Sequence, residues 1–457
     1  MNSTAALLTA WMPRQRWCSA KDRTPSLRIV ASWHLPDPFV DDGAPSVRVQ
    51  TLLVADDSAK PTALYQVPVV ERPTSSVDVG AEHIIGSLRA GVSLVDGAFD
   101  PAYTEALLRL VTRGGEGAGE GARAVGAPSA SVPDATPYVA EVLSGEQSNT
   151  SIIYRAAGAP PLICKVFRQL HPGLNPDIEL QTALAGAGSP FVPRAIGSVS
   201  GTWPDPAGGT LPLEGSLAFA QEFLPGVEDA RRVALRAATE GVDFTEAARE
   251  LGVATAGVHV SLAELFGTGA GTAEDHDLIS ASWRRRLDIA IAEVPELAEA
   301  REAIEAVYER ATLTEWPGLQ RVHGDYHLGQ AILTPERGWV LLDFEGEPMR
   351  PMAERVRPDL ALRDVAGLLR SFDYIAGSLM IEHPDQEPEP ALEWARAARL
   401  AFLEGYAAAS GVYLSAHRPL LDALELDKAV YEAIYESRNR PDWIAIPLTA
   451  IRRLVSR

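Results

Sequence analysis

His323-Gly-Asp-Tyr-His-Leu-Gly-Gln330 is followed, one apolar run later, by Leu341-Leu-Asp-Phe-Glu-Gly-Glu-Pro348. His, Gly, Asp and Gln crowded together make poor helix and poor strand. A loop between apolar runs is expected, and loops of this content carry function more often than packing. Asp325 stands five positions before Gln330, and Asp343 closes the apolar strand Trp339–Leu342. Phosphoryl transfer from a nucleotide needs this set. One carboxylate orients the attacking hydroxyl and can take its proton, while an amide oxygen and a second carboxylate hold magnesium against the phosphates. Asp325 is therefore the candidate base, and Gln330 and Asp343 are the candidate Mg²⁺ ligands. His323 fits a loop-bracing role, His327 a solvent-facing or loop-bracing one, and Glu345 a structural one. Glu347 could face metal or substrate.

The bulk composition sets the frame. A chain of 457 residues is too long for one core of ordinary size, so two or three domains are expected. The net charge of -20 disfavours nucleic acid and anionic membrane as partners. It still allows ATP, held by local Lys, backbone N–H groups and a bridging metal. Cys18 and Cys164 belong to no Cys-x-x-Cys pair, which argues against a disulfide scaffold or zinc site. The apolar stretch Ala5–Met12 is too short for a signal core, and no run suits a membrane span, so the cytoplasm is the expected location.

Residues 1–113 read as a small α/β cap. Its strands lie near Leu27–Trp33, Val47–Val54 and Ala63–Val70, and its helix is Pro101–Arg113. Trp11-Met-Pro-Arg-Gln-Arg-Trp17 reads either as a ligand site or as a contact that docks the first helix. The Gly/Ala/Pro-rich stretch 114–137 reads as a flexible linker. Residues 138–226 read as a strand-rich lobe and 227–457 as a helical one. A nucleotide is expected in the crevice between them.

In the strand-rich part, Ser144-Gly-Glu-Gln-Ser-Asn149 lies between two expected strands. Its small and hydroxyl residues Ser144, Gly145, Ser148 and Asn149 would let backbone N–H groups approach phosphate oxygens. No Gly-Lys-Ser/Thr follows, so it is not a Walker A loop. Lys165, mid-strand in Leu162-Ile-Cys-Lys-Val-Phe167, could be aimed at the α- and β-phosphates by an ion pair with Glu179 on the next helix. Gln221–Gly226 reads as a hinge. There Glu222 and Leu224 would pair with adenine and Asp229 with the ribose hydroxyls, although an ordinary strand-to-helix crossover fits equally. Near the C-terminus, Glu432 and Glu436 share a helix face, with Arg438, Arg440 and Trp443 close by. Carboxylates beside an aromatic ring suit a sugar, and a solvated charged helix end fits as well.

These motifs, with Trp11–Trp17, Leu362–Tyr374 and Asp427–Leu448, resemble the maltokinase-like branch of the aminoglycoside-phosphotransferase kinases, and within it the actinobacterial glucosamine kinases. The resemblance implies an α+β, bilobal protein-kinase-like fold with an N-terminal cap, a β-rich N-lobe and a helical C-lobe. It implies ATP and Mg²⁺ as reactants, and a sugar held by Glu432–Pro447. The expected reaction is conversion of glucosamine to its 6-phosphate, with Asp325, Glu347 and Glu436 receiving the sugar ammonium. Maltose phosphorylation is the nearest alternative, and a non-catalytic nucleotide-binding regulator the more distant one. Gln330 stands where protein kinases carry Asn, and Phe344-Glu345 replaces Phe-Gly, so no activation-loop switch of the protein-kinase kind is expected.

Overall fold

The computed structural model describes residues 3–20, 24–39, 47–132, 138–143, 148–348 and 350–456. Two compact units emerge. The first comprises residues up to Thr182 together with Pro193–Pro225, and the second Ala183–Val192 with Gly226 onward.

Among the described residues the first unit carries one thirteen-stranded sheet. Its strands are β1 (Leu27–Leu35), β2 (Arg48–Asp56), β3 (Ala63–Pro73), β4 (Ile84–Arg89), β5 (Val92–Asp96), β6 (Gly115–Ala118), β7 (Arg123–Pro128), β8 (Val139–Val142), β9 (Asn149–Ala156), β10 (Ala159–Phe167), β11 (Gln169–Leu170), β12 (Ala195–Trp203) and β13 (Leu213–Glu222). The order is β4-β5-β3-β2-β1-β6-β7-β12-β13-β10-β9-β8, with β11 on β3. The helices α1 (Thr4–Trp11) and α2 (Pro101–Arg113) belong to this unit, and α3 (Pro176–Gly186) begins in it.

The expected linker is corrected here. Residues 115–118 and 123–128 are β6 and β7, which join the cap strands to β12. Glycine is abundant in this stretch for packing, not for looseness. A Cβ on Gly126 would stand 2.0 Å from the carbonyl oxygen of Leu110, so only glycine lets α2 lie against β7. The remaining part of that stretch, 133–137, lies outside the described residues. Cap and strand-rich lobe thus share one sheet. The buried Gln66 side chain on β3 strengthens the join, donating to the carbonyls of Phe167 (3.0 Å) and Leu217 (2.9 Å). Trp11 and Trp17 pack edge-on, 5.8 Å between ring centroids, in a core with Leu8, Tyr65 and Val67. Trp11, fully buried there, takes the docking role read for this segment.

The second unit is helical: α4 (Ala230–Glu240), α5 (Thr245–Phe266), α6 (Ala273–Glu293), α7 (Arg301–Thr312), α8 (Met352–Arg355), α9 (Leu362–Glu382), α10 (Glu389–Ser410), α11 (Arg418–Asn439) and α12 (Ala445–Val455). Its one hairpin among the described residues is β14 (Ala331–Thr334) with β15 (Gly338–Leu341). Buried faces of α5, α9 and α11 supply Leu251, Val258, Leu262, Leu368, Phe372, Leu424 and Val430 to the core.

Candidate active site

The loop bearing Asp325 is held from beneath. Asp364, buried on α9, accepts from the backbone N–H groups of His323 (2.8 Å) and Gly324 (2.9 Å), and its Oδ2 lies 2.9 Å from His259 Nε2. Burial alone would push the Asp364 carboxyl up; the bonds from His259 and Gly324 hold it below the usual carboxylate range. His323 Nε2 reaches the carbonyl of Leu342 at 2.8 Å, tying the loop to the segment that carries Asp343. His327 Nδ1 accepts from the N–H of Gly329 at 3.0 Å. Burial, with Asp325 opposing it, lowers His327 from its ordinary value, so the ring is neutral and braces the turn. A Cβ on Gly367 of α9 would meet the Tyr326 carbonyl at 2.5 Å, so this glycine lets the loop rest on the helix.

Gln330 and Asp343 flank the β14–β15 hairpin. Its register pairs Ala331 with Leu341, and Leu342 N–H donates to Gln330 carbonyl at 2.8 Å. The residues at the open end must therefore meet. Gln330 Nε2 donates to Asp343 Oδ2 at 3.0 Å, so the amide and the carboxylate are in contact, and the amide oxygen is not used in that bond. Asp343 has φ 65°, a left-handed conformation that Asp tolerates better than bulkier residues. Two oxygen donors of this kind, one neutral and one anionic, suit a hard cation such as Mg²⁺.

Asp325 borders a cavity of about 360 Å³, whose wall also carries Tyr374, Lys428, Tyr431, Glu432, Glu436, Arg440 and Trp443. Sequence analysis missed Lys428, the centre of the electrostatics. Its Nζ donates to Asp325 Oδ1 at 3.1 Å and to Glu347 Oε1 at 2.8 Å. Burial works against the ammonium, but Glu347 and Asp325 raise its pKa well above the ordinary lysine value. Glu347 is 2% exposed and is not among the described residues lining the cavity. Burial would raise its carboxyl; Lys428, Arg286 and Arg363 hold it far below the usual range. Glu347, expected to receive the sugar ammonium, stands in the structure as a buried counter-charge to Lys428.

Glu432 and Glu436 do line the cavity, each with partners. Glu432 Oε2 accepts from Arg370 Nε (2.9 Å) and Nη2 (2.7 Å). Glu436 accepts from the Tyr374 hydroxyl (3.0 Å) and from Arg440 Nη2 (2.6 Å) and Nε (2.9 Å). Trp443 stacks near Tyr374 at 6.5 Å, with the Arg440 guanidinium 4.5 Å over its ring. Arg438 does not join them; its Nε donates to Glu293 at 2.8 Å. Two residues along a helix point to nearly opposite sides, whereas four return to the same face, so Arg440 takes the position expected of Arg438. Residues 428, 432, 436 and 440 form a stripe at that spacing, a signal legible in the sequence. The pocket is therefore a set of matched charges rather than a bare anionic well awaiting an ammonium.

In the first unit Lys165 Nζ donates to Asp177 Oδ2 at 3.0 Å. Asp177, in the first turn of α3, was not singled out from sequence; Glu179 lies in the same turn. Ser148 precedes β9 and Asn149 opens it, opposite Phe167, while Ser144 and Gly145 lie outside the described residues. Glu222 N–H donates to the Arg194 carbonyl at 2.9 Å, so this amide is taken within the unit. Leu224 follows in coil. Asp229 caps α4, accepting from Arg232 N–H at 2.9 Å, a job that competes with the expected ribose contact.

With this geometry in hand, the likeness to known proteins can be placed. Residues 11–100 match the maltokinase N-terminal cap domain, and residues 139–420 match the phosphotransferase enzyme family. A glucosamine kinase of Streptacidiphilus jiangxiensis is 29% identical over 425 residues, covering 85% of this chain and 92% of that protein. A glucosamine kinase of Mycolicibacterium smegmatis is 28% identical over 327 residues, covering 68% and 78%. A solved glucosamine kinase in complex with glucosamine, ADP and inorganic phosphate has a TM-score of 0.62 over 99% of both chains at 23% identity, a likeness of fold. A glucosamine kinase in crystal form B gives 0.65 over 100% of both chains at 24% identity. The kinase-like α+β fold with its N-terminal cap is therefore as expected, and with 139–420 spanning more than half its length, the chain belongs to the phosphotransferase enzyme family.

Proposed function

We propose that this protein transfers the γ-phosphoryl group of ATP to the primary hydroxyl of glucosamine, giving glucosamine 6-phosphate. The observation that carries the proposal is Asp325, braced by Lys428, at the edge of a cavity walled by carboxylates and aromatic rings. In this reading Asp325 orients the hydroxyl and accepts its proton. Tyr374 and Trp443 offer flat surfaces to the sugar, and Glu436 and Glu432 accept from its hydroxyls or ammonium. Gln330, through its amide oxygen, and Asp343 would hold Mg²⁺, which neutralises phosphate charge when bound. Lys165, kept in place by Asp177, serves the ATP phosphates. The two glucosamine kinases that cover most of this chain favour the amino sugar. Among the described residues no helix is long and apolar enough to cross a membrane. ATP as co-substrate assigns the reaction to the cytoplasm.

A coupled ADP-release assay tests the proposal with glucosamine and maltose side by side. Turnover on glucosamine, abolished by a magnesium chelator, is expected. Because residues 11–100 match a maltokinase cap, maltose is the informative competitor. Turnover on maltose with none on glucosamine would overturn the assignment.

A further inference from the structure

The β-rich unit has a cavity of its own, about 530 Å³, which shares Asn149 with the loop read for phosphate but contains none of the residues named in the proposed reaction. Arg14, Arg16, Trp17, His83, Phe99 and Arg168 form much of its wall. Arg168 is fully buried. Its Nε donates to Thr150 Oγ1 at 2.8 Å and its Nη2 to Asp96 at 3.2 and 3.3 Å, while the guanidinium lies 4.9 Å from the Trp17 ring centroid. Its Nη1 has no partner among the described residues. A buried donor left unpaired is costly, and such a group calls for an explanation.

Charge around the cavity runs against the rest of the molecule. Arg14 and Arg16 are exposed at its rim, and neither pairs with a carboxylate among the described residues. The two acidic residues of the wall are engaged. Asp96 takes Arg168 and the Ala98 N–H (3.2 Å), and Glu82 lies 3.4 Å from His83. In a chain of net charge -20, a local excess of guanidinium groups is a selective feature. The His83 and Phe99 rings stack at 3.4 Å and add a flat wall.

The cavity is separate from the phosphate-facing lysine. Directly opposed residues share a face of the sheet: Ser151 pairs with Lys165 and Thr150 with Val166. Arg168 bonds to Thr150 and so belongs to the face away from Lys165.

We propose that this cavity is a second, non-catalytic anion site that binds the phosphate monoester of a small ring compound. Arg14 and Arg16 engage the phosphate oxygens, Nη1 of Arg168 completes the donor set, and Trp17 with the His83–Phe99 pair receives the ring. Two sources share this chemistry: a sugar phosphate, which as reaction product rests on the function proposed above, and a nucleoside monophosphate.

Isothermal titration of the full chain decides, since its readout is binding and needs no turnover. The probes are inorganic phosphate, glucosamine 6-phosphate and AMP. They are titrated into wild type, Arg14→Gln/Arg16→Gln and Asp343→Asn. We expect at least one ring-bearing probe to bind more tightly than inorganic phosphate. That binding should weaken at least tenfold in the double arginine variant and persist in Asp343→Asn. Tighter binding of glucosamine 6-phosphate identifies the sugar phosphate as the source, and tighter binding of AMP the nucleotide. Equal binding by wild type and the double variant, or loss only in Asp343→Asn, would overturn the proposal. Both arginines are exposed, so the double variant should fold, and an unchanged thermal transition in phosphate-free buffer checks this.

Discussion

Asp325 and Glu347 are both carboxylates on one lysine, yet their surroundings give them different work. Asp325 is half-buried at the cavity, where a substrate hydroxyl can reach it; Glu347 is enclosed by Lys428, Arg286 and Arg363. Asp325→Asn should lower kcat by about 100-fold or more while ATP binding holds, because the amide keeps the shape but accepts no proton. Rapid-quench turnover with a separate ATP titration measures both. For Glu347 the consequence is pH-dependent stability. Its carboxyl titrates near 4.5 when unfolded and lower when folded. The ionised group therefore contributes fully above that unfolded value, and the contribution is lost as pH falls below it. Urea melts between about pH 6 and pH 3 should show a shallower decline for Glu347→Gln than for wild type. The wild-type network as a whole is one of paired buried charges, which a sequence shows only as scattered letters. Lys428 was not singled out from sequence because its partners, Asp325 and Glu347, lie 103 and 81 residues away.

At the scale of elements, local patterns carried far. Helix α2 spans Pro101–Arg113 as expected, with Asp100 accepting from Ala102 N–H at its start and Gly114 at its stop. The three cap strands fall close to their expected spans, because alternation is a local property. The β6–β7 pair was not legible. A Gly/Ala-rich stretch has no hydrophobic period; its Gly126 answers to the helix packed on it, and its Gly117 and Gly119 to the close approach of β1. Gly126→Val should therefore destabilise the β-rich unit by about 1–3 kcal/mol or more through overpacking, read from chemical denaturation. Protection of β7 amides in hydrogen exchange tests the same correction, since a linker would exchange freely. Gly367 sets a parallel constraint on the catalytic loop. Gly367→Ala should push Tyr326 and displace Asp325, costing about 10- to 100-fold in kcat with little change in ATP affinity.

For the whole molecule, the net charge of -20 acts on the two proposed substrates, which carry opposite sign. Raising salt screens that field. The kcat/KM for anionic ATP should rise by about twofold and that for cationic glucosamine should fall, in initial-rate series from low to physiological ionic strength. A common direction for both would show that local pairs, not the overall field, govern encounter. The residues proposed for phosphoryl transfer were singled out from the chain itself: Asp325, Gln330 and Asp343 sit within one short stretch, and chemistry that dictates residue type at close spacing leaves a local trace. Helices and strands were readable for the same reason. Tertiary structure alone settled which charges meet. It assigned Lys428 to Asp325, Asp177 to Lys165 and Arg440 rather than Arg438 to the cavity, and it turned a supposed linker into sheet. A buried charge is stable only beside its counterpart, and folding, not sequence distance, decides who stands next to whom.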